Sequence, residues 1–335
     1  MTLEQAIELH RNGDLAAAET AYRAHLQTQP NDPDALHLLG VLRQQCDDTN
    51  EARELLSRAI ALAPEHAPLH LSLGGVLLRV GDETAALASF ERALQLDPNL
   101  VDAHSLVGHL QLREGDLAGA ESRFRIGRRA QDEDPMILFG LGNVYLARGD
   151  AANAAKFLAR AAERKPDDAA IQTSLGRALF DQGAFGLAEK AFENVQKLRP
   201  QLSIAKLYLA RSKFRQDRDN EAHALFAELL ASKQQMFGAN AGLGDIARKR
   251  GHVVRALKFY RRALALDPAH AGAVNACAWC MEKLGDLGAA AQYLFEGLKH
   301  APGAHDLRRP LAELLDRLGR GEEAARVRED AGSRA

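Results

Sequence analysis

The sequence predicts an all-α solenoid, and three residue types recurring at one spacing predict it. Proline recurs every 34 residues, at Pro30, Pro64 and Pro98, then Pro166 and Pro200, then Pro268 and Pro302. Alanine keeps the same interval without exception at Ala18, Ala52, Ala86, Ala120, Ala154, Ala188, Ala222, Ala256, Ala290 and Ala324. Glycine marks two further positions. One series runs through Gly40, Gly74, Gly108, Gly142, Gly176 and Gly244, with Ala210, Ala278 and Ala312 in its gaps. The other runs through Gly13, Gly81, Gly115, Gly149, Gly183, Gly251, Gly285 and Gly319. A strict period of this length is the signature of a stacked helical repeat.

Each ladder has a physical job. The second glycine series is expected in the turn between two helices, where φ is positive. The first series is expected where those helices cross, a small residue of one facing an alanine of the other so that the axes approach closely. Tyr22, Phe90, Phe124, Phe192, Phe226 and Tyr260 recur on the second helix and should fill the space between units. Proline then closes most units, with Asp132 and Gln234 at the two positions where the series lacks it.

The units so defined are 1–32, 33–66, 67–100, 101–134, 135–168, 169–202, 203–236, 237–270, 271–304 and 305–335. The first turns at Gly13-Asp14. In the second, Cys46-Asp47-Asp48 lacks the glycine, and Asp48 with Glu51 resembles a capping box. The third, APLHLSLGGVLLRV followed by GDETAALASFERALQLDPN, shows the pattern most clearly. The fourth ends in Asp132-Glu133-Asp134, and Pro135 suits the first turn of the next helix. The fifth and sixth are regular. The seventh has Ala210 and Asp217 for glycine and no closing proline, so an irregular joint is expected at 231–238. The eighth is regular, and the ninth carries the only tryptophan, Trp279. In the tenth, Pro310 interrupts the first helical pattern, so that helix is expected to start near it. Arg328 replaces the inter-unit aromatic there, as suits an end on which nothing stacks, and 331–335 are expected to fray.

These residues resemble the tetratricopeptide repeat (TPR) family over essentially the whole chain. The aromatic usual early in the first helix is replaced by Leu36, His70, His104, Leu138 and Gln172. The resemblance implies one right-handed superhelix whose first helices line a concave surface. The stretches LHRNGDLAAAETAYR and DALHLLGVL also resemble TPR modules fused to bacterial glycosyltransferases and sulfotransferases.

Composition narrows the function. A formal charge of −2 argues against nucleic acid as the partner. The basic run 248–262 is the best candidate for binding it, and a solvated outer face explains that run better. Cys277 and Cys280 form a CxxC, but Cys277 stands where Leu39, Leu73, Leu141, Leu175 and Leu243 stand in other units, so both read as buried apolar residues. No secretory leader, membrane-spanning run, phosphate-binding loop, nucleophile motif or metal-ligand cluster stands out. His70 and His104 hold equivalent positions and could stack. The expectation is a cytoplasmic, non-enzymatic adaptor with no cofactor or metal, which captures a protein or peptide partner.

The resemblance tells where to look for the binding surface. Late in the first helices, Leu78, Leu112, Leu146, Phe180 and Phe214 form an apolar stripe, with Phe139, Asn143, Leu207 and Tyr208 beside it. Such a stripe serves either as packing between first helices or as a groove for a partner segment. Arg177, Arg211, Arg215, Arg248 and Lys249, with Trp279 beyond, are expected to add a basic patch, offset by Asp181 and Asp245. A partner with an apolar anchor and acidic residues would suit it. The clamp that grips chaperone tails, and the asparagine ladder of O-linked N-acetylglucosamine transferases, have no counterpart at the matching positions. A targeting subunit acting in trans with a glycosyltransferase or sulfotransferase is the alternative reading, and RNA binding a weaker one.

Overall fold

A computed structural model describes residues 2–332. Among these residues there are twenty helices and no strand. The chain groups into two compact units, Met1–Pro166 and Asp167–Ala335.

The first unit contains α1 (Leu3–Arg11), α2 (Leu15–Thr28), α3 (Pro33–Gln45), α4 (Thr49–Leu62), α5 (Ala67–Arg79), α6 (Glu83–Leu96), α7 (Val101–Glu114), α8 (Leu117–Ala130), α9 (Pro135–Ala147) and α10 (Ala151–Arg164). The second contains α11 (Ala169–Asp181), α12 (Phe185–Leu198), α13 (Ser203–Arg215), α14 (Asp219–Ala231), α15 (Met236–Lys249), α16 (Val253–Leu264), α17 (Ala271–Lys283), α18 (Leu287–His300), α19 (His305–Arg317) and α20 (Gly321–Gly332). Within each unit a helix packs on its chain neighbours. First helices also touch the next first helix, as α7 does α9 and α13 does α15.

The alanine ladder is the spine of both units. All ten alanines from Ala18 to Ala324 are fully buried, and so are the recurring aromatics from Tyr22 to Phe226, with Tyr260 nearly so. The crossing differs from the expected glycine on alanine. A methyl group built on Gly74 would meet the Phe90 ring at less than 3.0 Å, and one on Gly142 would meet Leu158 as closely. The small residue therefore makes room for a large side chain of the second helix. Phe124 shows why the aromatics also seal one repeat to the next: its ring leaves no space for a side chain at Gly108 in its own repeat or at Gly140 in the following one.

Turns follow the second glycine ladder, with φ between 75° and 88° at its members from Gly13 to Gly319. Asp47 and Asp217 take the same left-handed conformation, both at φ 61°, where the ladder lacks glycine. Aspartate tolerates this region better than most residues. Aspartates also cap the second helices. Asp14, Asp48, Asp82, Asp116, Asp150 and Asp286 each accept a backbone N–H three residues on. Asp48 makes its half of the expected box at 3.1 Å, while the Glu51 carboxylate is held by Arg23 and Arg43. Between α14 and α15 the backbone is left-handed at Lys233 (φ 54°) and Gln235 (φ 45°), and α15 starts directly after them.

Two expectations are corrected. The helix expected to start near Pro310 starts at His305 and runs through the proline. Leu307 and Leu311 on either side are fully buried, and this packing offsets the missing hydrogen bond. His70 and His104 do not stack. Each instead reaches the carbonyl of the proline six residues back, His70 Nε2 to Pro64 and His104 Nε2 to Pro98, both at 2.8 Å. Of the tail 331–335, Ala331 and Gly332 close α20 and the rest lies outside the described residues. No helix of the described residues is long and apolar enough to cross a membrane.

Candidate partner-binding site

In the first unit the apolar stripe is largely spent on packing. Leu78 lies against the cluster of Phe90, Ala103 and Val107, and Leu112 against that of Phe124, Ile137 and Leu141. Leu146 and Asn143 are half-buried. Phe139 stacks on His109, ring centroids 5.8 Å apart, and burial pushes the His109 imidazolium pKa down. These side chains join the helices that carry them.

The second unit is different. Its first helices α11, α13, α15 and α17 enclose a cleft of about 480 Å³. Phe180 comes from α11, and Arg211, Phe214 and Arg215 from α13. Phe237, Ala241, Asp245 and Arg248 come from α15, and His270 with Ala273, Asn275 and Ala276 from the start of α17. Tyr260 of α16 closes the base, its hydroxyl donating to Asp245 Oδ1 at 2.7 Å. Burial first, and the Asp245 carboxylate second, push the Tyr260 phenol up, so it stays a neutral donor.

Aromatic rings position the cations. Arg211 lies 5.4 Å from the Tyr208 centroid, Arg215 4.4 Å from Phe185 and Arg248 5.7 Å from Trp279. Each such contact is worth about 0.5–1 kcal/mol at an exposed site and fixes the guanidinium plane. Tyr208 is itself held between Phe180 and Phe192, at 5.6 and 5.1 Å. Trp279 also carries Lys283 at 5.8 Å.

The cleft thus unites Phe180, Arg211, Phe214, Arg215 and Arg248 from the expected set. Tyr208 and Trp279 stand behind it as platforms. Three expected residues take other places. Leu207 is 4% exposed and belongs to the core, because Gly238 lets α15 approach until it touches the Leu207 methyls. Lys249 is committed to Asp217 and Asp219, each at 2.7 Å, with Phe214 under it at 5.3 Å. Arg177 is exposed and does not line the cleft. Sequence reading missed Phe237, His270 and Phe185. His270 caps α17 by accepting the Ala273 N–H on Nδ1 at 3.2 Å, and its ring lies 4.5 Å from Phe237. Only its place just before a first helix hinted at that role.

Elsewhere in this unit a polar latch ties α12, α13 and α14. Lys213 donates to Glu189 at 2.7 Å and to Glu221 at 3.0 Å, and Arg218 chelates Glu189. Burial alone would raise the Glu189 pKa, but the bonds from Lys213, Gln216 and Arg218 outweigh it and leave it lowered. Cys277 and Cys280 are buried free thiols, and burial pushes Cys277 up to about 12. Among the described residues no group of histidine, cysteine and carboxylate side chains is arranged to hold a metal ion.

Comparison with known proteins agrees with this architecture. A family profile described as the cytochrome c-type biogenesis protein H TPR domain matches residues 3–137. A tetratricopeptide repeat profile matches 108–169, 158–203, 173–236 and 207–271. Comparison with curated proteins gives no match. Among solved structures, pilF of Pseudomonas aeruginosa is similar at 18% identity and a TM-score of 0.53, over 59% of this chain and 90% of that one. The human IFIT1 dimer with PPP-AAAA is similar at 17% identity and a TM-score of 0.50, over 97% of this chain and 80% of that one. At these identities the likeness extends to the fold alone.

Proposed function

This chain is a tetratricopeptide-repeat protein, and on that premise we propose that it is a non-enzymatic scaffold. It captures a segment of a protein partner on the first-helix face of residues 167–335. The observation that carries this reading is the cleft between α11, α13, α15 and α17, where Phe180 and Phe214 share one wall with Arg211 and Arg215. Concave sites lined by aromatic side chains and a few oriented polar groups are the usual ligand-binding surfaces of proteins. The aromatic rings would take an apolar anchor, and the arginines acidic residues beside it. The reading places the protein in the cytoplasm, where a free exposed thiol such as Cys46 stays reduced.

The test is capture of a partner by the wild type and by Phe180→Ala with Phe214→Ala. The double variant should lose capture while far-ultraviolet circular dichroism shows its helicity intact. Equal capture by both forms would remove the groove from the proposal. A second reading, a targeting subunit acting in trans with a glycosyltransferase or sulfotransferase, rests on LHRNGDLAAAETAYR and DALHLLGVL. Recovery of such an enzyme with the protein would favour it.

A further inference from the structure

The geometry points to an oxyanion subsite within this cleft, formed by Arg211 and Arg215 with Arg248 on the neighbouring helix, that selects segments bearing an acid next to their apolar anchor. The inference rests on the scaffold reading and assigns its specificity to named side chains.

Among the described residues, several first-helix cations of this unit carry counter-ions, which Arg211 and Arg215, like Arg177, Lys283 and Arg308, do not. Lys206 pairs with Glu228, Lys213 with Glu189, Lys249 with Asp217, and Arg317 with Glu282. Among the described residues, no carboxylate lies within the 4.0 Å of an ion pair for Arg211 or Arg215. Their neighbours are the Tyr208 and Phe185 rings instead. Four residues apart on one helix, both project from the same face. Ring contacts restrain them, so a ligand need not meet the full cost of ordering two long side chains.

The rest of the lining points the same way. Its carboxylate, Asp245, already accepts the Tyr260 hydroxyl and lies 3.5 Å from Arg248. His270 uses Nδ1 as an acceptor for α17, which leaves Nε2–H as its free polar group. The cleft therefore sets three guanidiniums against one occupied carboxylate. Guanidinium forks match the two oxygens of a carboxylate or phosphate better than an ammonium does. The volume of about 480 Å³ suits a short stretch of chain.

A random peptide library displayed on phage and selected against the full chain tests this. Three forms are compared: wild type, Arg211→Gln with Arg215→Gln, and Lys190→Gln with Lys197→Gln, which removes equal charge at exposed positions of α12 away from the cleft. Wild type and the lysine variant should enrich aspartate or glutamate next to an aliphatic or aromatic residue, and the arginine variant should not. One selected peptide is then synthesised with its acidic residues, with amides in their place, and with phosphoserine. The amide form should bind about tenfold more weakly or worse. Tighter binding of the phosphoserine form would identify phosphate, rather than carboxylate, as the natural oxyanion. Peptides enriched without acid, or equally by the arginine variant, would overturn the subsite and leave the scaffold reading in place. Failure to enrich any peptide over the bare support would count against both.

Discussion

Asp217 Oδ1 and Lys249 Nζ stand 2.7 Å apart, and the pair repeats what Asp47 and Arg79 do at 2.7 Å in the other compact unit. In each case an aspartate replaces the turn glycine, adopts φ 61° and is held by the last cation of the next first helix. The carboxylate lies near that helix's C-terminal end, where its cation also meets the macrodipole. The basic series Arg79, Arg113, Lys249 and Arg317 thus joins adjacent repeats, Arg113 pairing with Glu83 at 2.8 Å and Arg317 with Glu282.

Replacing Asp217 separates conformation from charge. Asp217→Ala keeps the left-handed φ and loses the ion pair, and should cost about 1 kcal/mol. Asp217→Gly loses the pair but relieves the backbone, and should stay within about 0.5 kcal/mol of wild type. Urea denaturation followed by circular dichroism decides; an alanine variant as stable as the glycine variant would show that the backbone strain is negligible.

Two glycines should respond oppositely to alanine. At Gly140 the added methyl meets the buried Phe124 ring at less than 3.0 Å, so Gly140→Ala should destabilise by about 1–3 kcal/mol. At Gly75 the nearest atom is the flexible end of Gln44 at 3.4 Å, so Gly75→Ala should gain about 0.5–1 kcal/mol of helix stability. Thermal melts of both variants would contradict the packing account if they shifted in the same direction.

Acid should weaken the latch between α12, α13 and α14. Hydrogen bonds from Arg218 first, and Lys213 second, hold the Glu221 carboxyl at about 2, below its ordinary 4.5. A group depressed on folding contributes stability that is present above its unfolded pKa and is lost as pH falls through the folded one. The difference in stability between wild type and Glu221→Gln should therefore be open at pH 7 and close between about 4.5 and about 2. A difference independent of pH would assign the effect to packing.

Thiol chemistry reports on the core. Cys46 is exposed, whereas Cys277 and Cys280 are buried and their pKa values raised, so the native protein should react at one thiol and the denatured protein at three. Titration with a chromogenic disulfide reagent in buffer and in guanidinium counts them. Rapid reaction of all three in buffer would mean that α17 opens readily.

Most of the fold was legible because it depends on spacing alone. Ala18 to Ala324 and the turn glycines serve at fixed positions whatever their neighbours' rotamers. Where side-chain reach decides, spacing was a poorer guide. Gly74 and Ala86 share a register, yet it is Phe90 that fills the crossing, because a ring extends past the alanine beside it. Pro310 carries a strong local signal against helix, and two buried leucines override it. Within the site, Phe180, Phe214, Arg211, Arg215 and Arg248 could be found from their positions late in first helices. Leu207 could not be excluded, because the close approach at Gly238 belongs to the next first helix, α15. Phe237 and His270 were hidden because a helix start, not a stripe, brings them to the cleft.

The alanine ladder has one more consequence, for how such a chain can vary. Each alanine is buried by the helices next to it, so its fit depends on angular phase and not on how many repeats precede it. A single residue inserted in α13 would rotate everything after it by about 100° and swing Phe214 away from Phe180. A whole block of 34 restores the phase and lengthens the molecule instead. Evolution can therefore extend or shorten this protein in whole strides, while half a stride is forbidden.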